Sequence, residues 1–395
     1  MSLPVLQLRP REEKRLRVGH LWVYSNEIDT KVTPLRGLEP GSVARLTDAQ
    51  GKLLAVGYAN PHSLIAFRVL SRDPHTRIDQ GYFEHRLAAA LALRNQRFAQ
   101  PFYRLVHGEG DGLPGLVIDR FAGHWVMQLN TAGMQAQQEV LIAALRAVAP
   151  VESIVLRNDS GAREQEGLAR EVVVAYGTPP EQVEIEENGA HFQVPLLQGQ
   201  KTGWFYDHRL NRAALLHYVH GARVLDGFSY LGAWGIPAAL AGAASVLCVD
   251  GSAEALRGVE QNATLNDVAD RVSIQAGNAF EVFKQLVDAG ERFDVVVVDP
   301  PAFIKSKKDE AQGREAYRRI FRLAMQLLVP GGLLSASSCS HHLSAVELER
   351  LLLDDARKLG REIALLERGG QGPDHPIHLA IAETAYLKSA LVRVS

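Results

Sequence analysis

FDVVVVDPPAF, residues 293–303, is the stretch whose reading decides the fold. Its four consecutive valines, Val295 to Val298, are β-branched and apolar without alternation, as in a strand buried on both faces of a parallel sheet. Asp299-Pro300-Pro301 then stops that strand, because proline has no N–H to give to a sheet ladder. A carboxylate is thereby set at the carboxyl end of a central strand, the edge where open α/β sheets bind ligands. Asp-Pro is also ordinary turn chemistry, so the surrounding chain has to decide whether this carboxylate is functional.

Around that strand, from Ala222 onward, apolar runs alternate with helical patterns. Strands are expected at 222–226, 244–250, 271–275, 332–337, 361–367 and 383–393, and helices at 233–242, 252–266, 279–289, 311–328 and 343–358. Repeated βα units of this kind imply a doubly wound, parallel sheet with right-handed crossovers. The first strand and turn read VLDGFSYLGAWG, where Gly227, Gly232 and Gly235 permit close backbone approach of a nucleotide-like ligand. The spacing departs from G-x-G-x-x-G, so a dinucleotide fingerprint fits poorly. Asp226 ends this strand and is expected to hold a cationic group, directly or through water. Asp250 ends the second strand, where a carboxylate suits ribose hydroxyls; capping the helix that follows is its plain structural alternative. Gly277-Asn278-Ala279 follows the third strand and offers an amide to an adenine edge. With Asp299, four successive strands each end in a polar group, which makes a nucleoside-shaped site.

The fifth strand runs into Ser337-Ser338-Cys339-Ser340-His341-His342. Cys248 lies inside SVLCVD and reads as a small buried hydrophobe. Cys339 sits at a strand's carboxyl end, adjacent in topology to Asp299 and among hydroxyls and imidazoles, a setting that presents a thiolate. His341 and His342 assist that thiol, meet phosphate, or cap the next helix. Too few ligands recur at suitable spacing for a metal site.

Upstream, VEIEENGAHFQVPL alternates on either side of Asn188-Gly189, a strong hairpin signal. The loop LQGQKTGWFYDHR then crowds Gln200, Lys201, Thr202, Trp204, Phe205, Tyr206, Asp207 and Arg209 ahead of a helix. Residues 74–180 read as a central α+β block, with a helix over 74–100, another over 134–148, and strands in RLVHGE, LPGLVIDRF, HWVMQLN, SIVLRND and EVVVAYG. Arg104, Arg157 and Arg163 are its candidates for nucleic acid, and it holds no catalytic constellation. Residues 1–73 contain short apolar runs punctuated by Pro34, Gly37, Pro40-Gly41, Gly51 and Asn60-Pro61, the pattern of a small all-β barrel. Ahead of its expected first strand, LWVYS, come Arg9, Arg11, Lys14, Arg15 and Arg17, followed by His20, Trp22 and Tyr24. Cations beside aromatics suit phosphate contact and base stacking; a solvated basic face is the alternative.

Bulk composition agrees with an enzyme of two or three domains: 395 residues, 46% apolar and 22% charged. The net charge of −2 conceals a basic front end on an acidic body, which points to a polyanion-binding module carried by a catalytic one. Two cysteines make no disulfide framework, which favours a reducing compartment. No signal-like start and no run near the roughly 18 apolar residues that span a bilayer are present. A cytoplasmic location without membrane contact is therefore expected.

VLDGFSYLGAWG, VDGS, DPPAF, SSCSHH and GQKTGWFYDHR together resemble the class I S-adenosylmethionine-dependent methyltransferases of the ribosomal large subunit methyltransferase I kind. KRLRVGHLWVYSNEI and GYANPHSLIAFRVL resemble that family's PUA RNA-binding barrel, and HGEGDGLPGLVIDRF is similar to its linking domain. The resemblance covers nearly the whole chain. It implies a Rossmann-like, seven-stranded, mostly parallel C-terminal domain over 181–395, a PUA-like barrel over 1–73 and a central α+β domain over 74–180. It also implies methylation of a cytosine C5 in 23S rRNA, with S-adenosylmethionine as cofactor and Cys339 as nucleophile. In that reaction Asp299 binds the base edge at N3 through a protonated or shared-proton carboxyl. The chain departs from the family pattern at Asn278, where an aspartate is frequent.

The candidate cofactor-binding set is Asp226, Gly227, Phe228, Tyr230, Gly232, Asp250, Ser252, Asn278, Ala279, Asp299 and Arg209. The candidate RNA-binding set is Arg11, Lys14, Arg15, Arg17, His20, Trp22, Lys201 and Lys305, and a homodimer is left open. Two other readings stay beside the covalent one. One is methylation of a base nitrogen at DPPAF without a covalent step; the other is a non-catalytic rRNA-binding assembly protein. An NAD-dependent oxidoreductase is disfavoured by the imperfect glycine pattern.

Overall fold

The computed structural model describes residues 3–395; Met1 and Ser2, at the start of the expected front barrel, lie outside the described residues. The chain forms two compact units. The first comprises Met1–Val183, Pro195–Trp204 and Pro373–Thr384, and the second Glu184–Val194, Phe205–Gly372 and Ala385–Ser395. Among the described residues, no helix is long and apolar enough to cross a membrane.

In the first unit, β1 (Val5–Gln7), β2 (Trp22–Tyr24), β3 (Val43–Thr47), β4 (Leu53–Ala59) and β5 (Ile65–Ser71) form a sheet in the order β1-β3-β4-β5-β2. Leu6, Leu46, Ala66 and Phe67 fill its core. The basic cluster does not precede the first strand: β1 comes before it, and Lys14–Arg17 is a short helix. β1 escapes detection because it is only three residues long and gains its ladder from a distant partner, β3. A second sheet is built from β6 (Phe102–His107), β7 (Leu116–Phe121), β8 (His124–Leu129), β9 (Ser153–Asn158) and β10 (Glu171–Gly177), ordered β10-β9-β8-β7-β6. The long helix begins at Gln80, not at 74, because Asp79 caps it through the Tyr82 N–H. The next helix divides into Ala132–Ala136 and Gln138–Val148.

The arginines offered to nucleic acid in this block are structural. Arg104 makes a two-pronged pair with Asp119, at 2.8 Å on each side. Arg157 is 4% exposed and donates to the Leu196 and Gly199 carbonyls, and Arg163 is 2% exposed against the Leu129 carbonyl. A buried guanidinium must be paired, so periodicity alone cannot tell such an arginine from a solvated one.

A hairpin of β11 (Gln182–Glu187) and β12 (Ala190–Pro195) turns at Asn188 and Gly189, both with positive φ. In the second unit, β13 (Arg223–Gly227), β14 (Ser245–Asp250), β15 (Val272–Ala276), β16 (Phe293–Val298), β17 (Leu328–Ser338), β18 (Ile363–Gly370) and β19 (Lys388–Val394) form one sheet. Its order is β15-β14-β13-β16-β17-β19-β18. The first five are parallel and β19 runs antiparallel to both neighbours. This is the expected seven-stranded, mostly parallel sheet. FDVVVVDPPAF supplies its middle: Val295 to Val298 are at most 1% exposed. Strand order reverses between β13 and β16, so their carboxyl ends flank the crevice where such sheets bind ligands. Antiparallel β19 brings its first residue to the same edge, because Lys388 is in register with Ser338 at the end of β17.

Candidate active site at the carboxyl edge of the sheet

The turn after β13 is bent to admit a ligand. Phe228 and Tyr230 have φ of 65° and 49°, and Gly232 has φ of 82°. Two non-glycine residues in the left-handed region within three positions mark a strained segment of the kind found at binding sites. A Cβ at Gly227 would lie 2.6 Å from Phe283 Cζ, so only glycine fits there. Beneath the turn, Asp226 is fully buried and accepts the Gly235 N–H at 2.9 Å. Burial pushes its carboxyl up to about 8, the Gly235 N–H opposes this, and the charges of Asp299 and Asp250 add to it. Asp226 thus fixes the turn from below through one oxygen. Its Oδ1 and the Ser229 hydroxyl are buried without a hydrogen-bond partner, polar atoms that a ligand or a bridging water satisfies.

Asp250 accepts the Tyr230 N–H at 3.0 Å and the Ser252 N–H at 2.8 Å, which ties the second strand end to the turn. It is not the helix cap. Ser252 is, its hydroxyl accepting the Ala255 N–H, so Ser252 shapes the loop and its side chain is already spent. Asn278 caps the helix Ala279–Asp288 through its Oδ1. The residue is exposed, and its amide nitrogen is not used by the cap. Arg209 pairs with Glu187 at 3.3 Å and stacks over Tyr206, which anchors helix Arg209–Leu215 to the hairpin. Glycine approach, polar strand ends and unsatisfied buried atoms together fit a nucleoside-bearing cofactor.

Asp299 is held from two sides. His208 Nε2 lies 3.1 Å from Oδ1, and Trp234 Nε1 donates to Oδ2 at 3.2 Å. Asn211 Nδ2 donates to the Gly370 carbonyl at 3.0 Å, which fixes its amide, and the same nitrogen lies 3.1 Å from His208 Nδ1. Nε2 is the ring nitrogen that faces Asp299. Burial raises the Asp299 carboxyl, but the His208 and Trp234 interactions outweigh it and hold the group below the ordinary aspartate value. This lowering runs against the protonated form of the carboxyl expected from the sequence, and the 3.1 Å His208 contact is compatible with the shared-proton form.

Cys339 is half-buried between Ser338 and Ser340, both fully buried. Those serines do not face the thiol. Ser338 donates to Tyr317 Oη at 2.8 Å, while Ser340 Oγ accepts the Ile304 N–H at 3.1 Å and contacts Tyr317 Oη at 2.9 Å. They clamp the end of β17 to helix Glu310–Leu327 and to the loop after DPP. Lys388, 8% exposed, opens the neighbouring strand; its side-chain nitrogen donates to the carbonyl of Ser340, the residue after Cys339, and to that of Tyr386.

Of the candidate RNA residues, Arg11, Lys14, Arg17, Lys201 and Lys305 are exposed. Lys305 lines a cleft of about 300 Å³ with Phe303, Asp309 and Gln312. Others are engaged within the protein. Arg15 pairs with Glu27 at 3.2 Å and lies over the Tyr24 ring, and Trp22 gives its indole N–H to Glu109 at 2.8 Å. His20 accepts the Trp22 backbone N–H. Sequence reading passed over His208, Trp234 and Lys388. A lone lysine opening an otherwise apolar strand, KSALVRV, was the available signal for the last; His208 lay unremarked among its more conspicuous neighbours.

Comparison with known proteins agrees with this geometry. Residues 104–393 match the family described as S-adenosylmethionine-dependent methyltransferase. The chain belongs to that family. Residues 6–72 of this methyltransferase match the PUA-like domain family. A Photobacterium profundum protein named Ribosomal RNA large subunit methyltransferase I is 38% identical over 383 residues, covering 95% of this chain and 96% of its own. A Cronobacter sakazakii protein of the same name is 36% identical, covering 98% of each. In fold, a Streptococcus mutans structure described as a SAM-dependent methyltransferase superposes with a TM-score of 0.83 at 21% identity, over 99% of this chain and 100% of that one. A second solved methyltransferase, complexed with SAH, gives a TM-score of 0.84 at 21% identity over the full length of both. The cofactor of the present chain is accordingly S-adenosylmethionine.

Proposed function

We propose that the protein methylates C5 of a cytosine in 23S rRNA, in the cytoplasm, through a covalent bond between Cys339 and C6 of the base. One observation carries this reading: the half-buried Cys339 directly follows β17, one strand away from β16 and the Asp299 carboxylate that follows it, at the same edge of the sheet. Cytosine C5 is a poor nucleophile. Addition of the Cys339 thiolate to C6 turns it into an enamine-like carbon. S-adenosylmethionine, held by the Phe228–Gly232 turn, Asp250 and Asn278, supplies the electrophilic methyl. A water molecule then takes the C5 proton, and the electrons of that C–H bond restore the C5–C6 double bond as the thiolate leaves. The Asp299 carboxylate accepts N–H from the base and orients it, while His208 and Trp234 keep that carboxylate charged and fixed. C5 is out of reach in a stacked helix, so the base must be flipped, with the exposed cations of the front barrel holding the RNA backbone. The names of the full-length relatives support the rRNA substrate.

A second reading is favoured by one feature. An ionised Asp299 also suits an exocyclic amine that attacks by its lone pair, with no covalent step. Methyl transfer to rRNA by Cys339→Ala separates the two. The covalent reading expects turnover to vanish while S-adenosylmethionine still binds by calorimetry; ordinary turnover sinks it.

A further inference from the structure

Lys388 is a buried basic residue at the carboxyl edge that the reaction above leaves without a task. Its position is set twice. In the β17–β19 ladder its Cα partner is Ser338, the residue before Cys339. Its ammonium donates to the carbonyl of Ser340, the residue after Cys339, and also to that of Tyr386. The nitrogen is therefore held at the carbonyl of the residue next to Cys339, and Ser337 Oγ to Ser389 Oγ, at 3.1 Å, pins the two strands beside it. An ammonium has three N–H donors. Two are committed to carbonyls, which leaves one for a neighbouring anion. At 8% exposure no solvent shell compensates the charge, and a buried cation with only carbonyl partners is costly unless an anion is formed nearby.

We propose that Lys388 is a positioning residue that holds Cys339 as a thiolate. This rests on the covalent reading of the site. The amine of Lys388 takes the proton from the Cys339 S–H, giving an ammonium–thiolate pair with no net change in charge. The sulfur lone pair then forms the S–C6 bond, and on expulsion the bonding electrons return to sulfur beside the same ammonium. The free lysine amine this requires is accessible, because burial lowers Lys388 from its ordinary value to about 8, with the charges of Cys339 and Glu347 opposing that shift. Tyr317, tied to Ser338 and Ser340 by its hydroxyl, is a further titratable group on a packed element; its own value is raised by burial, so it remains a neutral phenol. Asp299 closes the neighbouring strand and His341 and His342 follow Cys339 in sequence.

The test uses the full-length chain without RNA. The rate of Cys339 alkylation by iodoacetamide is followed from about pH 5 to about pH 10, since only the thiolate reacts. Cys248 is fully buried with its thiol pushed well up, and Cys339→Ser supplies the blank. The wild type is expected to show a midpoint clearly below the ordinary thiol value of about 8.5. Lys388→Met should raise that midpoint by at least about one unit, slowing alkylation at neutral pH by about tenfold or more. Lys388→Arg, which keeps the charge, should stay near wild type. Coincident profiles for wild type and Lys388→Met overturn the proposal. So does a wild-type midpoint at or above about 8.5, a result that stands even if the methionine variant fails to fold. Failure of the covalent reading is seen separately, as turnover by Cys339→Ala, because the alkylation profile requires no methyl transfer.

Discussion

Asp226→Asn tests the electrostatics under the cofactor turn. Asparagine keeps an oxygen to accept the Gly235 N–H, now at 2.9 Å, and removes a titrating group that is fully buried. The carboxyl of Asp226 is raised from 3.8 to about 8 by burial foremost. A raised carboxyl binds its proton more tightly in the fold than in the unfolded chain. Stability from this group is therefore fully present below the unfolded value and is lost as pH rises through the window from 3.8 to about 8. Each unit corresponds to about 1.36 kcal/mol, so at neutral pH the wild type forgoes up to about 4 kcal/mol that the asparagine variant does not. Urea unfolding of both proteins over a pH series, without cofactor, reads the difference. The variant should gain on the wild type progressively between about pH 4 and about pH 8. A difference independent of pH would refute the assignment of a proton to Asp226.

The remaining predictions concern the other parts of the site. His208→Ala removes the N–H that holds Asp299 at 3.1 Å; the acid limb of the turnover profile should move to higher pH and kcat should fall about a hundredfold, whereas an unmoved limb would exclude His208 as the partner of Asp299. Gly227→Ala sets a Cβ 2.6 Å from Phe283 Cζ and 3.1 Å from the Val297 carbonyl, and should cost about 1–3 kcal/mol in denaturant unfolding together with weaker cofactor binding; wild-type stability would contradict the close packing. Reversing Arg11, Lys14 and Arg17 to glutamate should weaken RNA binding and flatten its salt slope by about two units while sparing cofactor affinity by calorimetry. An unchanged slope would move RNA recognition away from the front barrel.

The sheet was legible because its strands carry their burial in their composition. Val295 to Val298 can be explained only by a central strand, and the βα spacing places Asp226, Asp250, Asn278, Asp299 and Cys339 at one edge without reference to contacts. Antiparallel β19 was legible as a strand, but its register was not, so the placement of Lys388 opposite Ser338 could not be foreseen. The same limit hid His208, whose partners Asp299 and Asn211 are 91 positions downstream and three positions away. Side-chain roles failed where several groups compete for one donor. Ser252 was spent on its helix, Arg209 on Glu187, Arg15 on Glu27, and Arg104 on Asp119. A sequence shows that such a residue is polar and says nothing about which neighbour satisfies it.

The covalent step is tested most directly with RNA in which the target cytosine is replaced by 5-fluorocytosine. Fluorine at C5 cannot leave as a proton does, so an adduct formed on the way to product persists. The account predicts a denaturation-resistant protein–RNA species that forms only with S-adenosylmethionine present, carries the transferred methyl, and maps to Cys339 by peptide mass spectrometry. Efficient methylation of unmodified RNA with no trapped species from the fluorinated RNA would contradict it.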